Sequence, residues 1–182
     1  MRCVWCDSEY TFTGGKKVGF GEIFDKLEEF GCNLVEVTGG EPLAQKHVFP
    51  FIRELCDRGY EVLIETGNFV STEKIDPRAQ VILDVKCPAS GESERNHWQN
   101  LRRLNERDEV KFVVQDLEDL EFTKRVIDEY DLENRASALL VSPVHNTPNL
   151  KEIAEAVSGC GLKIRLNLQL HKFIWGEHTR GV

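Results

Sequence analysis

The stretch Leu34-Val35-Glu36-Val37-Thr38-Gly39-Gly40-Glu41-Pro42 joins a short apolar strand to a glycine turn, and the fold prediction is built outward from it. Gly39 and Gly40 remove side chains, so that the polar group of a ligand can approach the backbone, and Pro42 fixes the exit from the turn. An ordinary strand-to-helix turn is the competing interpretation. The tetrapeptide alone favours that interpretation, whereas a cysteine loop one helix upstream favours a ligand site.

Strands and helices alternate on both sides of this stretch. Apolar residues at helical spacing predict a helix that ends at Gly31, and a second helix from about 47 to 58 leads into a strand at 61–65. Short strands separated by helices and short turns are typical of βαβ units with a mostly parallel sheet. We therefore predict one α/β domain over residues 1–182. The remaining predicted strands are 81–86, 110–114, 138–142 and 163–168, and the remaining predicted helices are 98–105, 117–130 and 150–158.

The charge balance and the apolar runs exclude several classes of partner. The 182 residues carry a net charge of −8 without clustered Lys and Arg, so a surface for nucleic acid is not expected. The apolar runs are of strand length and too short to cross a bilayer. No basic, apolar signal segment precedes Cys3, and we expect a cytoplasmic protein that does not contact membranes.

Among six cysteines, Cys3 and Cys6 form the one spaced pair, and the sequence between them contains an aromatic residue. This pattern suits a metal or iron–sulfur site. A thiol redox centre is the alternative, and it would need a thiol of low pKa, commonly at a helix N-terminus. The glycines that follow favour a loop after Cys6 instead. Three of the other four cysteines, Cys32, Cys56 and Cys160, are predicted to be small buried apolar residues.

Ligands of parallel α/β folds collect at the carboxyl ends of the strands. Polar residues directly after each predicted strand are therefore the site candidates. They occupy positions 38–42, 65–68, 84–86, 115, 142–145 and 169–171.

A Cys-x-x-Cys loop followed by a helix, a strand and Gly-Gly-Glu-Pro resembles the radical S-adenosylmethionine (SAM) enzymes. Within them the chain is similar to the 7-carboxy-7-deazaguanine synthase family, lyases of 7-deazapurine and queuosine biosynthesis. The resemblance extends over nearly the whole chain and implies a partial (β/α) barrel. It rests on Arg2-Cys3-Val4-Trp5-Cys6-Asp7-Ser8, Val37-Thr38-Gly39-Gly40-Glu41-Pro42, Ile64-Glu65-Thr66-Gly67-Asn68, Asp84-Val85-Lys86-Cys87-Pro88 and Gln169-Leu170-His171-Lys172.

The resemblance implies a role for each matching residue. Cys3 and Cys6 would be the second and third ligands of a [4Fe–4S] cluster, and Ser8 would bind Mg²⁺ beside the substrate. Thr38 and His171 would contact the substrate, although an exposed tail is an equally good interpretation of His171. The residues implied to bind SAM are Trp5, Asp7, Gly39, Gly40, Asp84, Val85, Lys86, Ser142, Pro143, Val144 and His145. The other histidines, His47, His97 and His178, are expected at the surface.

The implied reaction is a radical ring contraction of 6-carboxy-5,6,7,8-tetrahydropterin to 7-carboxy-7-deazaguanine with loss of ammonia. The cofactors carry this chemistry, and no side-chain acid–base pair is required from the sequence. A flavodoxin or ferredoxin-type electron donor and a homodimer are also implied. The open alternatives are a radical SAM enzyme that activates a glycyl-radical partner, a thiol redox protein and a non-catalytic scaffold.

The chain departs from the family pattern at its beginning. The usual cluster loop is Cys-x-x-x-Cys-x-x-Cys, and its first cysteine would fall upstream of Met1. A first strand, a Gln-Gly-Glu-Gly-like turn and an arginine for the substrate would fall there too. We therefore expect that Met1 is an internal methionine of a longer protein. We also expect the 182-residue chain to bind a cluster poorly and to be inactive.

Overall fold

Six parallel strands form one open sheet in the order β1-β2-β3-β4-β5-β6. The computed structural model of the chain describes residues 2–177 and 179. The sequential order places every crossover helix between neighbouring strands, as in a partial (β/α) barrel, and confirms the predicted α/β class. The strands are β1 (Leu34–Val37), β2 (Glu61–Thr66), β3 (Gln80–Lys86), β4 (Glu109–Val114), β5 (Ala138–Pro143) and β6 (Ile164–Leu166).

Local sequence signals set the helix ends. Gly31 has a φ of 62° and donates its N–H to the carbonyl of Glu28, which ends the first helix. The Asp116 side chain accepts from the N–H of Asp119 and begins the third. Within the described residues no helix is long and apolar enough to cross a membrane. The helices are α1 (Phe20–Phe30), α2 (Val48–Asp57), α3 (Leu117–Glu129), α4 (Leu150–Gly159) and α5 (Leu170–Trp175).

One face of the sheet is covered by helices α1 to α4, and the other face lines the cleft described below. Strand β4 shows how alternation separates them. Val110, Phe112 and Val114 are fully buried in the core with α3 and α4, while Lys111 and Val113 face the cleft. A second apolar cluster packs α1 and α2 on β2. Polar residues on alternate positions of these strands are therefore delivered to one surface.

Three local predictions are wrong. The segment predicted as a helix at 98–105 has one 3₁₀ turn, Trp98–Asn100, because the Asn100 side chain is buried and bonded to Asn68 and Val70 rather than turned to solvent. The last strand is shorter than predicted and is followed by α5. The predicted burial of three cysteines also fails, since Cys32 is exposed and Cys56 and Cys160 are half-buried.

Candidate functional site

The carboxyl ends of the strands and the cysteine loop (residues 3–8) enclose a cleft with two cavities. The large cavity has a volume of about 800 Å³ and the small cavity about 220 Å³. Trp5, Cys6, Asp7 and Ser8 line both of them. The sequence candidates that line only the small cavity are Cys3, Thr38, Gly39, Gly40, Asp84 and Lys86. Those that line only the large cavity are Ser142, Val144, His145 and His171.

The cysteine loop is held in place by main-chain contacts. The N–H of Cys6 donates to the carbonyl of Cys3 at 3.1 Å, and the N–H of Val4 donates to the carbonyl of Ser90 at 3.2 Å. Burial raises the pKa of the Cys3 thiol, against the opposing effect of the Lys86 ammonium. Residues 9–12 continue as a 3₁₀ turn rather than an α-helix, as the glycine-rich sequence predicts.

The glycine turn lies directly beneath this loop. Gly39 has a φ of 129°, which side chains rarely tolerate, and a Cβ on Gly40 would lie 3.1 Å from Oγ1 of Thr11. Glu41 fixes the turn from below: its Oε1 accepts from the N–H of Leu43 at 3.0 Å and from Oγ1 of Thr66 at 2.7 Å. Its Oε2 accepts from the N–H of Gly67 at 2.9 Å. Sequence reasoning gave Glu41 no role beyond the motif.

Replacing Glu41 by glutamine is expected to lower the free energy of unfolding by about 1.5 kcal/mol, because an amide group cannot accept all three hydrogen bonds and one buried donor loses its partner. Urea unfolding of the two proteins measures the difference. Glu121→Gln is the matched control, since Glu121 pairs with Lys124 on the exposed face of α3. Equal unfolding midpoints for Glu41→Gln and the unaltered chain would contradict the anchoring role.

At the end of β3, Asp84 and Lys86 point into the small cavity. Lys86 Nζ lies 2.7 Å from Oδ2 of Asp84, while Oδ1 of Asp84 is buried without a hydrogen-bond partner among the described residues. Burial lowers the pKa of Lys86, but the nearby Asp84 and Cys3 together raise it by more. The pKa of Lys86 therefore lies above its ordinary value. The Asn96 side chain holds both the N–H and the carbonyl of Lys86 at 2.9 Å. Val85, between them, is buried in the core.

An ion pair between Lys111 and Glu65 lies between the two cavities and lines both. Oε2 of Glu65 also accepts from Oγ1 of Thr38 at 3.3 Å. Burial lowers the pKa of Lys111, but the carboxylates of Asp84 and Glu65 together raise it by more. The pKa of Lys111 therefore lies above its ordinary value, and the side chain is a charged ammonium. Sequence reasoning missed Lys111. Its position directly opposite Asp84 follows from the register of β3 and β4, which no local motif announces.

Strand β5 and helix α5 form the far wall of the large cavity. Ser142 and Pro143 are buried at the end of β5, and His145 lies against the ring of Phe173 with centroids 5.3 Å apart. Pro143 lines neither cavity. The Nδ1 atom of His145 is buried without a partner in the described part of the chain.

His171 does not lie on an exposed tail. It occupies helix α5, is half-buried and lines the large cavity. Of the histidines expected at the surface, His47 is exposed and His97 is half-buried. His178 lies outside the described residues.

Asp7 joins the cysteine loop to the C-terminal helix. Its Oδ1 accepts from Oγ of Ser8 at 2.9 Å, and its Oδ2 lies 3.1 Å from Nζ of Lys172. Nε2 of Gln169 donates to the same Oδ2 at 3.2 Å. Gln169 and Lys172 belong to the Gln-Leu-His-Lys motif, but the sequence assigned a role only to its histidine.

The donor set of the cleft fits part of an iron–sulfur cluster. Across residues 2–177 and 179, no group of three or more Cys, His, Asp or Glu side chains is arranged to hold a metal ion. Two thiols, Cys3 and Cys6, nevertheless face the small cavity, and thiolates are the ligands that hold iron–sulfur clusters. The buried, unpartnered oxygen of Asp84 next to them fits a hydrogen-bond donor of a bound ligand. The cleft thus supplies two of the three thiolates that the predicted cluster requires.

Comparison with known proteins identifies the family, although no protein-family model matches the chain. A 7-carboxy-7-deazaguanine synthase of Koribacter versatilis is 41% identical over 196 residues, covering 100% of this chain and 87% of the relative. Relatives with the same name occur in Chlorobaculum tepidum (38% identity, 99% of this chain, 83% of the relative) and Thermoplasma acidophilum (32%, 97% and 84%). With this identity and coverage, the chain belongs to the 7-carboxy-7-deazaguanine synthase family.

Proposed function

We propose that the protein catalyses the SAM- and [4Fe–4S]-dependent ring contraction of 6-carboxy-5,6,7,8-tetrahydropterin to 7-carboxy-7-deazaguanine, with loss of ammonia. One observation carries the proposal: Cys3, Cys6, the glycine turn and the unpartnered oxygen of Asp84 border the same small cavity, which adjoins a larger one. Family membership supports the same product.

Each side of the cleft has its own task in this proposal. When bound, the cluster and SAM would supply radical chemistry for hydrogen removal from C6 of the pterin. Cys3 and Cys6 would hold the cluster, and the backbone at Gly40, with its neighbour Gly39, would receive the amino group of SAM in the small cavity. The remaining residues assigned to SAM are Trp5, Asp7, Asp84, Val85, Lys86, Ser142, Pro143, Val144 and His145.

The substrate occupies the large cavity in this proposal. Ser8 places Mg²⁺ next to the substrate carboxylate, because a hydroxyl oxygen suits a hard cation. His171 contacts the pterin from α5, where it lines the large cavity. Thr38, which follows β1 and lines the small cavity, contacts the part of the pterin that reaches the boundary between the two cavities. Trp5 lines both cavities, so it borders the sites proposed for SAM and for the substrate.

Thiol redox chemistry is the weaker proposal for Cys3 and Cys6. A disulfide oxidoreductase needs an attacking thiol of lowered pKa, whereas burial raises the pKa of Cys3. The residues after Cys6 also form a bend and a 3₁₀ turn, so no helix N-terminus lies at this thiol to stabilise a thiolate. Both observations weigh against a thiol redox centre.

Two further features belong to the proposal. A flavodoxin or ferredoxin-type protein delivers the electron, since the cluster must be reduced before SAM is cleaved. The working form is a homodimer in the cytoplasm. Size-exclusion chromatography with light scattering measures the assembly state.

Product analysis tests the proposed function. The protein is reconstituted anaerobically with iron and sulfide, reduced, and incubated with SAM, Mg²⁺ and the tetrahydropterin. We expect 7-carboxy-7-deazaguanine and ammonia in proportion to the complete cluster in each preparation, and none where the cluster is incomplete. A preparation with a complete cluster that cleaves SAM but leaves the pterin unchanged would refute the assignment. In that case, hydrogen abstraction from a partner protein becomes the better proposal.

A further inference from the structure

The Asp7 carboxylate connects two parts of the chain that are far apart in sequence. On one side it accepts from Ser8 of the cysteine loop at 2.9 Å. On the other it meets Lys172 at 3.1 Å and Gln169 at 3.2 Å, both at helix α5. The neighbours of Asp7 and Lys172 in the chain are Cys6 and His171, which the proposed function assigns to the cluster and the substrate. One ion pair therefore links the two halves of the cleft.

We infer that Lys172 is a positioning residue that acts through Asp7, fixing the cysteine loop against α5 and orienting the Ser8 hydroxyl. The link to cluster and substrate rests on the proposed function. The attachment of the cysteine loop to α5 does not rest on the proposed function, because it follows from the contacts alone.

The burial of Lys172 argues for a specific role. Its side chain is only 8% exposed, whereas that of Lys151, in the ion pair of α4, is 86% exposed. The Asp7 side chain is 39% exposed, so the buried charge of the pair is the Lys172 ammonium. A buried charge is costly to leave unpaired, so it fixes the position of its partner. Methionine fills a similar volume without the charge, so it separates packing from pairing.

The hydrogen bonds of Asp7 determine which way Ser8 points. Oδ2 of Asp7 faces two donors, Nζ of Lys172 and Nε2 of Gln169, and Oδ1 accepts from Oγ of Ser8, so both carboxylate oxygens act as acceptors. The Ser8 hydroxyl must then donate its single proton to Asp7. Its lone pairs remain available to a cation in the large cavity, as outer-shell partners commonly orient a metal ligand.

Thiol alkylation of the cluster-free, reduced chain tests the attachment. In Lys172→Met, we expect iodoacetamide to modify Cys6 roughly tenfold faster than in the unaltered chain, because the loop opens more often. Lys172→Arg, which keeps a charge-assisted bond to Asp7, is expected to stay within about twofold. Lys124→Met removes an exposed pair of α3 and is the matched control. Peptide mass spectrometry gives the rate at each cysteine.

Unfolding curves show whether each variant is folded, and Lys172→Gln serves as a second uncharged variant if Lys172→Met is not. An unchanged alkylation rate at Cys6 in a folded uncharged variant would overturn the inference. So would an equal acceleration at the buried Cys87, which would indicate general loosening of the fold.

Manganese binding provides a separate readout of Ser8. Paramagnetic resonance with Mn²⁺ in the presence of 7-carboxy-7-deazaguanine is expected to show an affinity at least tenfold lower in Lys172→Met, with recovery in Lys172→Arg. If the unaltered chain binds neither Mn²⁺ nor the product, the proposed function is in error. The alkylation rates still decide whether Lys172 holds the loop. Equal Mn²⁺ affinity in all variants would overturn the orienting role of Lys172.

Discussion

Replacing Cys6 by alanine is expected to reduce the iron and acid-labile sulfide that the protein binds on anaerobic reconstitution to roughly a tenth or less of the unaltered value. Soft thiolates hold iron–sulfur clusters, and all six cysteines lie among the described residues, where only Cys3 and Cys6 line the cleft. Loss of one of the two leaves a single thiolate. Visible charge-transfer absorbance and metal analysis report the loss.

The matched control is Cys32→Ala, because Cys32 is exposed and lines neither cavity. Its iron content should equal that of the unaltered chain. Equal iron in Cys6→Ala and Cys32→Ala would mean that the metal binds elsewhere. The unaltered 182-residue chain is itself expected to hold fewer than four iron atoms, since two thiolates do not complete the ligand set; a full four-iron cluster on it would contradict the need for a third.

The elements that sequence predicts well are those with local causes. Strand β1 and helix α1 were placed by apolar spacing and by Gly31, and both occur where predicted. Helix α5 is not predicted from the sequence, because large apolar residues follow one another along it without the periodic polar face that marks a surface helix. The segment 98–105 was misread because helical spacing does not reveal that Asn100 is buried in a network of asparagine side chains.

The candidate site divides in the same way. The glycine turn and the cysteine pair are each recognisable within a few consecutive residues. The sequence predicts both, and both line one cleft. Lys111, Glu41 and Lys172 act through partners that are distant in the sequence, Glu65, Gly67 and Asp7, at separations of 46, 26 and 165 residues. Polar residues at alternate strand positions normally face solvent, so Lys111 attracts no attention until the register places it opposite Asp84.

Replacing Lys111 by methionine is expected to lower the free energy of unfolding by about 3 kcal/mol, because it leaves the Glu65 carboxylate without its cation on the floor of the cleft. The side chains of Lys111 and Glu65 are 17% and 31% exposed, which places the expected loss at the lower end for a buried pair. For a chain of this size, the melting temperature should fall by roughly 6–12 °C. Urea and thermal unfolding measure both quantities.

A second substitution separates a lost ion pair from lost packing. In the double variant Lys111→Met with Glu65→Leu, no charge remains unpaired, and we expect most of the stability to return, as is common when a buried pair is replaced by apolar residues. Lys124→Met, which breaks an exposed pair of α3, should cost no more than about 0.5 kcal/mol. If the double variant is as unstable as Lys111→Met alone, the packing of the Lys111 methylene groups, rather than the charge of Lys111, stabilises this part of the cleft. If it recovers stability but no longer binds 7-carboxy-7-deazaguanine, the pair is kept for the ligand rather than for the fold.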